Sequence, residues 1–292
     1  MPWIQIHLTT DKRNAPLAEL MLDGLGAVSI TMEDAKDEPM LEPAPGETPL
    51  WSQTRVTGLF PEESDQNLLI ASIREELKTD TILELTVERL ADQVWERVWL
   101  DNFRPMQFGQ CLWIAPDGQI PDAPNAITLQ LDPGLAFGTG THPTTALCLK
   151  WLDQADVIDK TVVDFGCGSG ILSIATLLLG AKEAFAIDHD PQALEATADN
   201  AEKNDVRDKL TILHSDQPLE AVADITVANI LASTLIELEP LFASHTKNDG
   251  QIILSGILEE QIDSVMTAFK ENFSLQSTTI EDGWALLHGH RR

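Results

Sequence analysis

From Val162 to Gly170 the chain reads Val-Val-Asp-Phe-Gly-Cys-Gly-Ser-Gly, an apolar strand that passes Asp164 and enters a turn with glycine at Gly166, Gly168 and Gly170. A turn so poor in side chains lets a ligand lie against the backbone, and the apolar run Ile171 to Leu179 behind it predicts a helix whose first N–H groups face that ligand. Where helices cover both faces of a parallel sheet, ligands collect at the carboxyl ends of the strands, and the first such turn suits a nucleotide-like group. Asp188 closes the next strand 22 residues after Gly166, where a carboxylate can accept hydrogen bonds from two ribose hydroxyls. Asp190, standing before Pro191, suits a helix cap and leaves Asp188 to the ligand. Asp216, after the third strand, is a candidate for the adenine edge, although an aspartate in a loop serves equally as a turn residue. Asn229 ends the strand Ile225 to Asn229 at the same edge, and its amide can both donate and accept.

A dinucleotide fingerprint needs G-x-G-x-x-G, but the third glycine position holds Ile171 and Gly170 comes one place early. The resulting G-x-G-x-G, preceded by Asp164, resembles the cofactor loop of class I S-adenosylmethionine (SAM) methyltransferases, with an NAD-dependent oxidoreductase as the second reading and a non-catalytic SAM-binding protein as the third. Many amine and base methyltransferases follow the fourth strand with Asn-Pro-Pro-aromatic; this chain has Asn229-Ile230-Leu231-Ala232. Without that rigid proline clamp for a planar amine, the site more easily accommodates a flexible aliphatic amine or another nucleophile. Just upstream, Asp132 to Thr145 concentrates Gly134, Gly138 and Gly140 with several hydroxyls, which suits a lid. Phe137 is placed to cover an apolar part of a cofactor, and Thr144 or Thr145, at a helix start, to bind its carboxylate. His142 has no partner at metal-ligand spacing and reads as a hydrogen-bonded loop histidine.

These residues need a frame. From 161 onward strands (161–165, 184–188, 210–213, 225–229, 251–255) alternate with helices (171–179, 191–204, 233–244, 259–272), predicting a doubly wound α/β domain. The runs 275–280 and 285–290 around Glu281-Asp282-Gly283 predict an antiparallel hairpin at the sheet's end. The first 90 residues repeat strand, helix, strand twice: 3–8, 15–25 and 28–32, then 55–60, a helix opened by Ser64 with Leu68, Leu69, Ile73 and Leu77 on one stripe, and 82–87. That βαββαβ order predicts a small ferredoxin-like α+β domain over 1–90, with the acidic, Pro-rich segment 33–49 as its central loop. An amphipathic stretch with Trp95, Val98, Trp99 and Leu100 predicts a linking helix over 91–104, leaving 105–292 as the catalytic domain.

Composition narrows the partners. Forty-seven acidic against 19 basic residues give a net charge of −28, spread along all of the 292 residues, which repels phosphate backbones and anionic lipid and attracts a basic partner. No nucleic-acid or membrane partner is expected, and the chain reads as cytoplasmic: no apolar run approaches the roughly 20 residues of a membrane helix, and Met1 to Gln5 does not start a signal segment. Cys111, Cys148 and Cys167 form no C-x-x-C pair, so free buried thiols, and no structural metal, are expected.

Taken in order, the loop Leu131 to Thr145, the run Asp164 to Gly170, Asp188, and Asn229-Ile230-Leu231 resemble the ribosomal protein L11 methyltransferase (PrmA) family over essentially the whole chain. The resemblance implies a substrate-recognising amino-terminal module, a linking helix and a SAM-binding catalytic domain. It implies cofactor contacts at Thr145, Gly166, Asp188 and Asn229, and repeated methyl transfer to lysine ε-amines and the terminal α-amine of a basic ribosomal protein. Asn229 is then the candidate for positioning the amine, with no general base assigned.

Overall fold

In the computed structural model, which describes residues 3–36, 50–77, 82–90, 104–116, 118–131 and 142–292, the alternation of Ile4, Ile6 and Leu8 in the first strand buries one face and leaves the other half-covered. That strand, β1 (Trp3–Asp11), is followed by α1 (Ala15–Gly24), β2 (Ser29–Asp34), β3 (Gln53–Pro61), α2 (Gln66–Glu76) and β4 (Glu84–Leu90). The four strands pair in the order β2-β3-β1-β4, every neighbour antiparallel, which is the ferredoxin-like arrangement. Leu22 and Ile73 from the helices meet Ile6, Val56 and Phe60 from the sheet in a core of their own. The cap of α2 is Asp65, not Ser64: its carboxylate accepts from the N–H groups of Asn67 and Leu68. Of the stripe read for this helix, Leu69, Ile73 and Leu77 are buried but Leu68 is exposed. Of the segments expected as a central loop (33–49) and a linking helix (91–104), residues 37–49 and 91–103 lie outside the described residues, while Glu33 and Asp34 belong to β2.

The chain divides into two compact units, Met1–Trp95 and Glu96–Arg292. The second begins with a small sheet of β5 (Met106–Phe108), β6 (Leu112–Ala115) and β7 (Ile127–Gln130), antiparallel then parallel, and continues into α3 (Pro143–Gln154). Asp153 in the last turn of α3 accepts from the N–H groups of Gln110, Cys111 and Leu112 at 2.5, 3.0 and 2.8 Å and so holds the β5–β6 turn.

The main sheet follows: β8 (Thr161–Phe165), α4 (Ile171–Leu178), β9 (Glu183–Asp188), α5 (Pro191–Lys203), β10 (Leu210–His214), β11 (Ala223–Asn229), α6 (Ala232–His245), β12 (Thr246–Leu258), α7 (Ile262–Phe269), β13 (Phe273–Glu281) and β14 (Trp284–Arg291). Its strand order is β10-β9-β8-β11-β12-β14-β13. All neighbours are parallel except that β14 runs antiparallel to both β12 and β13. The hairpin expected at the sheet's end is therefore present, with β13 outermost and the reversed strand one place in.

Alternate residues of each strand feed the two faces, as a doubly covered sheet requires. Val162, Ile225, Val227 and Ile253 pack with Leu149 and Ile174 on one side, while Val163, Ala228, Ile252 and Leu254 pack with Leu235, Phe242 and Phe269 on the other. The strand order reverses between β8 and β11, which opens a crevice at their carboxyl ends. Among the described residues no helix is long and apolar enough to cross a membrane.

Candidate functional site

The glycine turn between β8 and α4 is a rigid, left-handed piece of backbone: Gly166, Gly168 and Gly170 have φ of +74°, +54° and +77°. That conformation strains residues with a Cβ. Space forbids one as well, since a Cβ on Gly166 would stand 2.2 Å from Ile230 Cγ2 and one on Gly170 2.8 Å from Thr197 Cγ2. The N–H groups of Gly166 and Cys167 both donate to the Ile187 carbonyl, at 2.8 and 3.0 Å, tying the turn to β9. From α5, the Thr197 hydroxyl donates to the Gly168 carbonyl and the Asn200 amide to the Ser169 carbonyl, each at 2.9 Å.

Asp188 at the end of β9 is buried and already engaged. Its Oδ2 accepts from Gly168 N–H at 3.0 Å, and its Oδ1 from His189 and Asp190 N–H at 2.7 and 3.0 Å. The expectation that Asp190 caps the next helix and leaves Asp188 to the ligand is half met: Asp190 does accept from Gln192 N–H, but Asp188 also organises the turn. A carboxylate offers about four acceptor sites, so one remains for a hydroxyl.

Asp164 lies behind the turn, 1% exposed. Its Oδ2 accepts from the N–H and hydroxyl of Ser173 at 3.1 and 2.7 Å, while its Oδ1 is buried with no hydrogen-bond partner among the described residues. Burial pushes this carboxyl up to about 6 in spite of the two Ser173 bonds. A buried acceptor with an unused oxygen beside a glycine turn fits a ligand that brings a donor or a positive charge.

At the next strand end, Asp216 is exposed and pairs with His214, Nδ1 to Oδ1 at 2.6 Å; His214 Nε2 donates to the His189 carbonyl at 3.0 Å. The Asp216 carboxylate holds this imidazole above its ordinary range. Across the crevice, Asn229 Nδ2 donates to the Thr145 hydroxyl at 3.2 Å, joining the end of β11 to the first turn of α3. His142 caps that helix: its Nδ1 accepts from Thr144 N–H at 3.3 Å and lies 2.7 Å from the Thr144 hydroxyl, and its ring meets Trp284 edge-on at 4.9 Å. Thr145 is thus brought to Asn229, and Thr144 is held by His142.

The fold gathers Asp164, Gly166, Gly168 and Asp188 around one turn and sets Thr145 and Asn229 on the facing side; Phe137 lies outside the described residues. Ser173, Thr197, Asn200 and Gly256 take part without having been read from the sequence, where Ile230 stood only as part of Asn229-Ile230-Leu231. The first three are ordinary polar positions on helices and carry no local signal, whereas Gly256, a lone glycine inside the apolar run Ile252 to Leu258, is the pattern of a bulge or a close backbone approach. The combined features, a nucleotide-sized glycine turn, a ribose-type carboxylate and a buried carboxyl with a spare oxygen, fit an adenosyl group carrying a cationic tail. Among the described residues no cluster of three or more His, Cys, Asp or Glu is arranged to hold a metal ion.

A family model described as ribosomal protein L11 methyltransferase (PrmA) matches residues 2–292. A protein of Aeromonas hydrophila named ribosomal protein L11 methyltransferase is 50% identical over 292 residues, covering 100% of this chain and 99% of that one. A protein of the same name from Escherichia coli O8 is 50% identical over 294 residues, covering both chains in full. Among solved structures, a ribosomal protein L11 methylase from Lactobacillus delbrueckii subsp. bulgaricus aligns with a TM-score of 0.61 at 33% identity, covering 65% of this chain and 100% of that one.

Proposed function

Because the chain belongs to the ribosomal protein L11 methyltransferase (PrmA) family, we propose that it is a SAM-dependent protein N-methyltransferase acting on lysine ε-amines and the terminal α-amine of ribosomal protein L11. The observation that carries this reading is the Asn229–Thr145 hydrogen bond, which fixes a donor–acceptor amide at the carboxyl edge of the sheet across from the three-glycine turn. When bound, SAM supplies a methyl group on a sulfonium that needs no further activation.

What is left to the protein is mainly position. The turn at Gly166 and Gly168 takes the adenosyl moiety against bare backbone, Asp188 accepts from the ribose, Asp216 stands toward the adenine edge, and the Asp164 oxygen balances positive charge. Asn229 offers its side-chain carbonyl to the incoming amine while its NH2 group is committed to Thr145, so the acceptor oxygen has one orientation. A lysine with an ordinary pKa near ~10.4 must lose its proton before attack, and desolvation of the ammonium in a closed pocket favours that loss. No side chain at the site is assigned as general base. Phe137 and the surrounding glycine-rich segment serve as the cover that excludes water, and the amino-terminal unit serves to recognise the protein substrate in the cytoplasm, without nucleic acid or membrane as a partner.

The direct test is to incubate the protein with labelled SAM and unmodified large-subunit ribosomal proteins and map the label by mass spectrometry. Label on lysines and the α-amine of L11 is expected; transfer to a different protein only, or none, would overturn the substrate assignment.

A further inference from the structure

The segment that replaces a proline clamp, Asn229-Ile230-Leu231, has no obvious source of rigidity in its own sequence, and the structure shows where the rigidity comes from. Ile230 sits between two glycines of other elements. On one side its Cγ2 faces Gly166, where an added Cβ would approach to 2.2 Å. On the other, its main chain lies on Gly256, where an added Cβ would stand 2.2 Å from the Ile230 carbonyl oxygen, 2.7 Å from its carbon and 3.1 Å from its nitrogen. Gly256 has φ of +80° and falls where the β12–β14 register shifts between Leu254 and Ile257. Asn229 pairs with Ser255 in the parallel β11–β12 ladder, so the last pair of that ladder falls on the bulged residues Ser255 and Gly256. A bulge at such a point redirects the strand and increases its local twist. Here it lets the chain leaving β11 settle onto β12.

We propose that Ile230, wedged between Gly166 and Gly256, is the positioning device of the acceptor site, and that Gly256 is a positioning residue acting through it. This rests on the methyltransferase reading above. Gly166 belongs to the turn assigned to the donor and Ile230 adjoins the amide assigned to the acceptor, so one isoleucine sets the distance between the two. A residue braced by its side chain on Gly166 and by its main chain on Gly256 does what two fixed φ angles do in the proline version. It also holds the Ile230 main chain against Gly256, and with it the peptide that follows the Asn229 amide. Neither glycine tolerates a methyl group, for steric as well as conformational reasons, so the device depends on three positions distant in sequence.

The test compares Ile230→Ala, which removes Cγ2 from Gly166, with Ile230→Val, which keeps a β-branch there, and with Gly256→Ala, which presses on the Ile230 carbonyl. Single-turnover transfer to unmethylated L11 is measured at saturating SAM, alongside SAM affinity by titration calorimetry and folding by thermal melt. The expected result is a rate loss of about 10- to 100-fold in Ile230→Ala with SAM affinity retained, and near-normal transfer in Ile230→Val. Gly256→Ala shows the same rate loss wherever it folds, and the two Ile230 variants decide the matter if it does not. Wild-type transfer by Ile230→Ala, a rate that falls only in step with SAM affinity, or an equal loss in Ile230→Val each overturns the proposal. Absence of transfer by the unmodified protein would overturn the methyltransferase reading instead.

Discussion

Burial holds the Asp164 carboxyl at about 6 against a usual 3.8, which gives stability and binding opposite pH signs at one residue. Between those two values the folded chain keeps a proton that the unfolded chain has released, so stability falls as pH rises through the window and stays lower above it. At neutral pH the penalty is on the order of 3 kcal/mol at most. The wild type should therefore gain thermal stability relative to Asp164→Asn as pH is lowered through about 6 toward 3.8, with the difference in melting temperature between the two as the readout. A cationic ligand favours the ionised form, so SAM affinity should fall as pH drops through about 6 in the wild type and be weak and pH-independent in Asp164→Asn. Affinity that stays flat across that range would remove Asp164 from the cofactor site. Asp188 has the simpler signature. Asp188→Ala frees three backbone N–H groups and removes the ribose acceptor, and since a hydrogen bond to a charged group contributes about 1.5–3 kcal/mol, SAM binding should weaken by one to two orders of magnitude in calorimetry.

Between elements, the connection that repays a test is the one from Asp153 to the β5–β6 turn. Burial acts to raise this carboxyl, but the bonds from Gln110, Cys111 and Leu112 outweigh it and hold it below its ordinary value. Its contribution to stability is thus present above the usual carboxylate range and lost as pH falls through the lowered value. Asp153→Ala should cost about 2–3 kcal/mol in a urea melt near neutral pH and progressively less in acid; an equal loss at every pH would contradict the assignment. The sequence did not announce Asp153, because a carboxylate near a helix end looks the same whether it faces water or reaches 42 positions back to a turn.

What periodicity and punctuation announce well is local: the five main-sheet strands, the cap at Asp190, the glycine turn and the closing hairpin all stand close to where they were read. Boundaries slipped where tertiary contacts decide them. The helix read over 259–272 is a 3-10 turn, Glu259–Gln261, and then α7, while β12 starts five residues earlier than its apolar core because Thr246 continues directly from α6. Strand order and the Ile230–Gly256 contact were not legible, since both depend on pairing between segments that share no sequence pattern.

Over the whole molecule, the two units have separate cores, Ile6, Val56 and Phe60 in one and the two faces of the seven-stranded sheet in the other. Each side of the proposed division of labour is therefore open to measurement. A chain lacking Met1–Trp95 should bind SAM as the intact protein does and lose kcat/KM for L11 through KM. Loss of SAM binding would mean that the cofactor site depends on the first unit.

The net charge of −28 adds a second dependence that the same assay can read. Long-range attraction between an acidic enzyme and a basic substrate acts over about a Debye length, close to 8 Å at physiological ionic strength, and shortens with added salt. Because such steering acts on encounter, kcat/KM for the ribosomal protein should decline with salt while kcat at saturation stays level. SAM affinity should change less, because the two carboxylates assigned to its cationic tail and ribose, Asp164 and Asp188, are buried and only Asp216 among the assigned groups is an exposed charge. If kcat/KM were indifferent to ionic strength, the acidic composition would serve solubility alone, and recognition of the basic substrate would rest on short-range contacts.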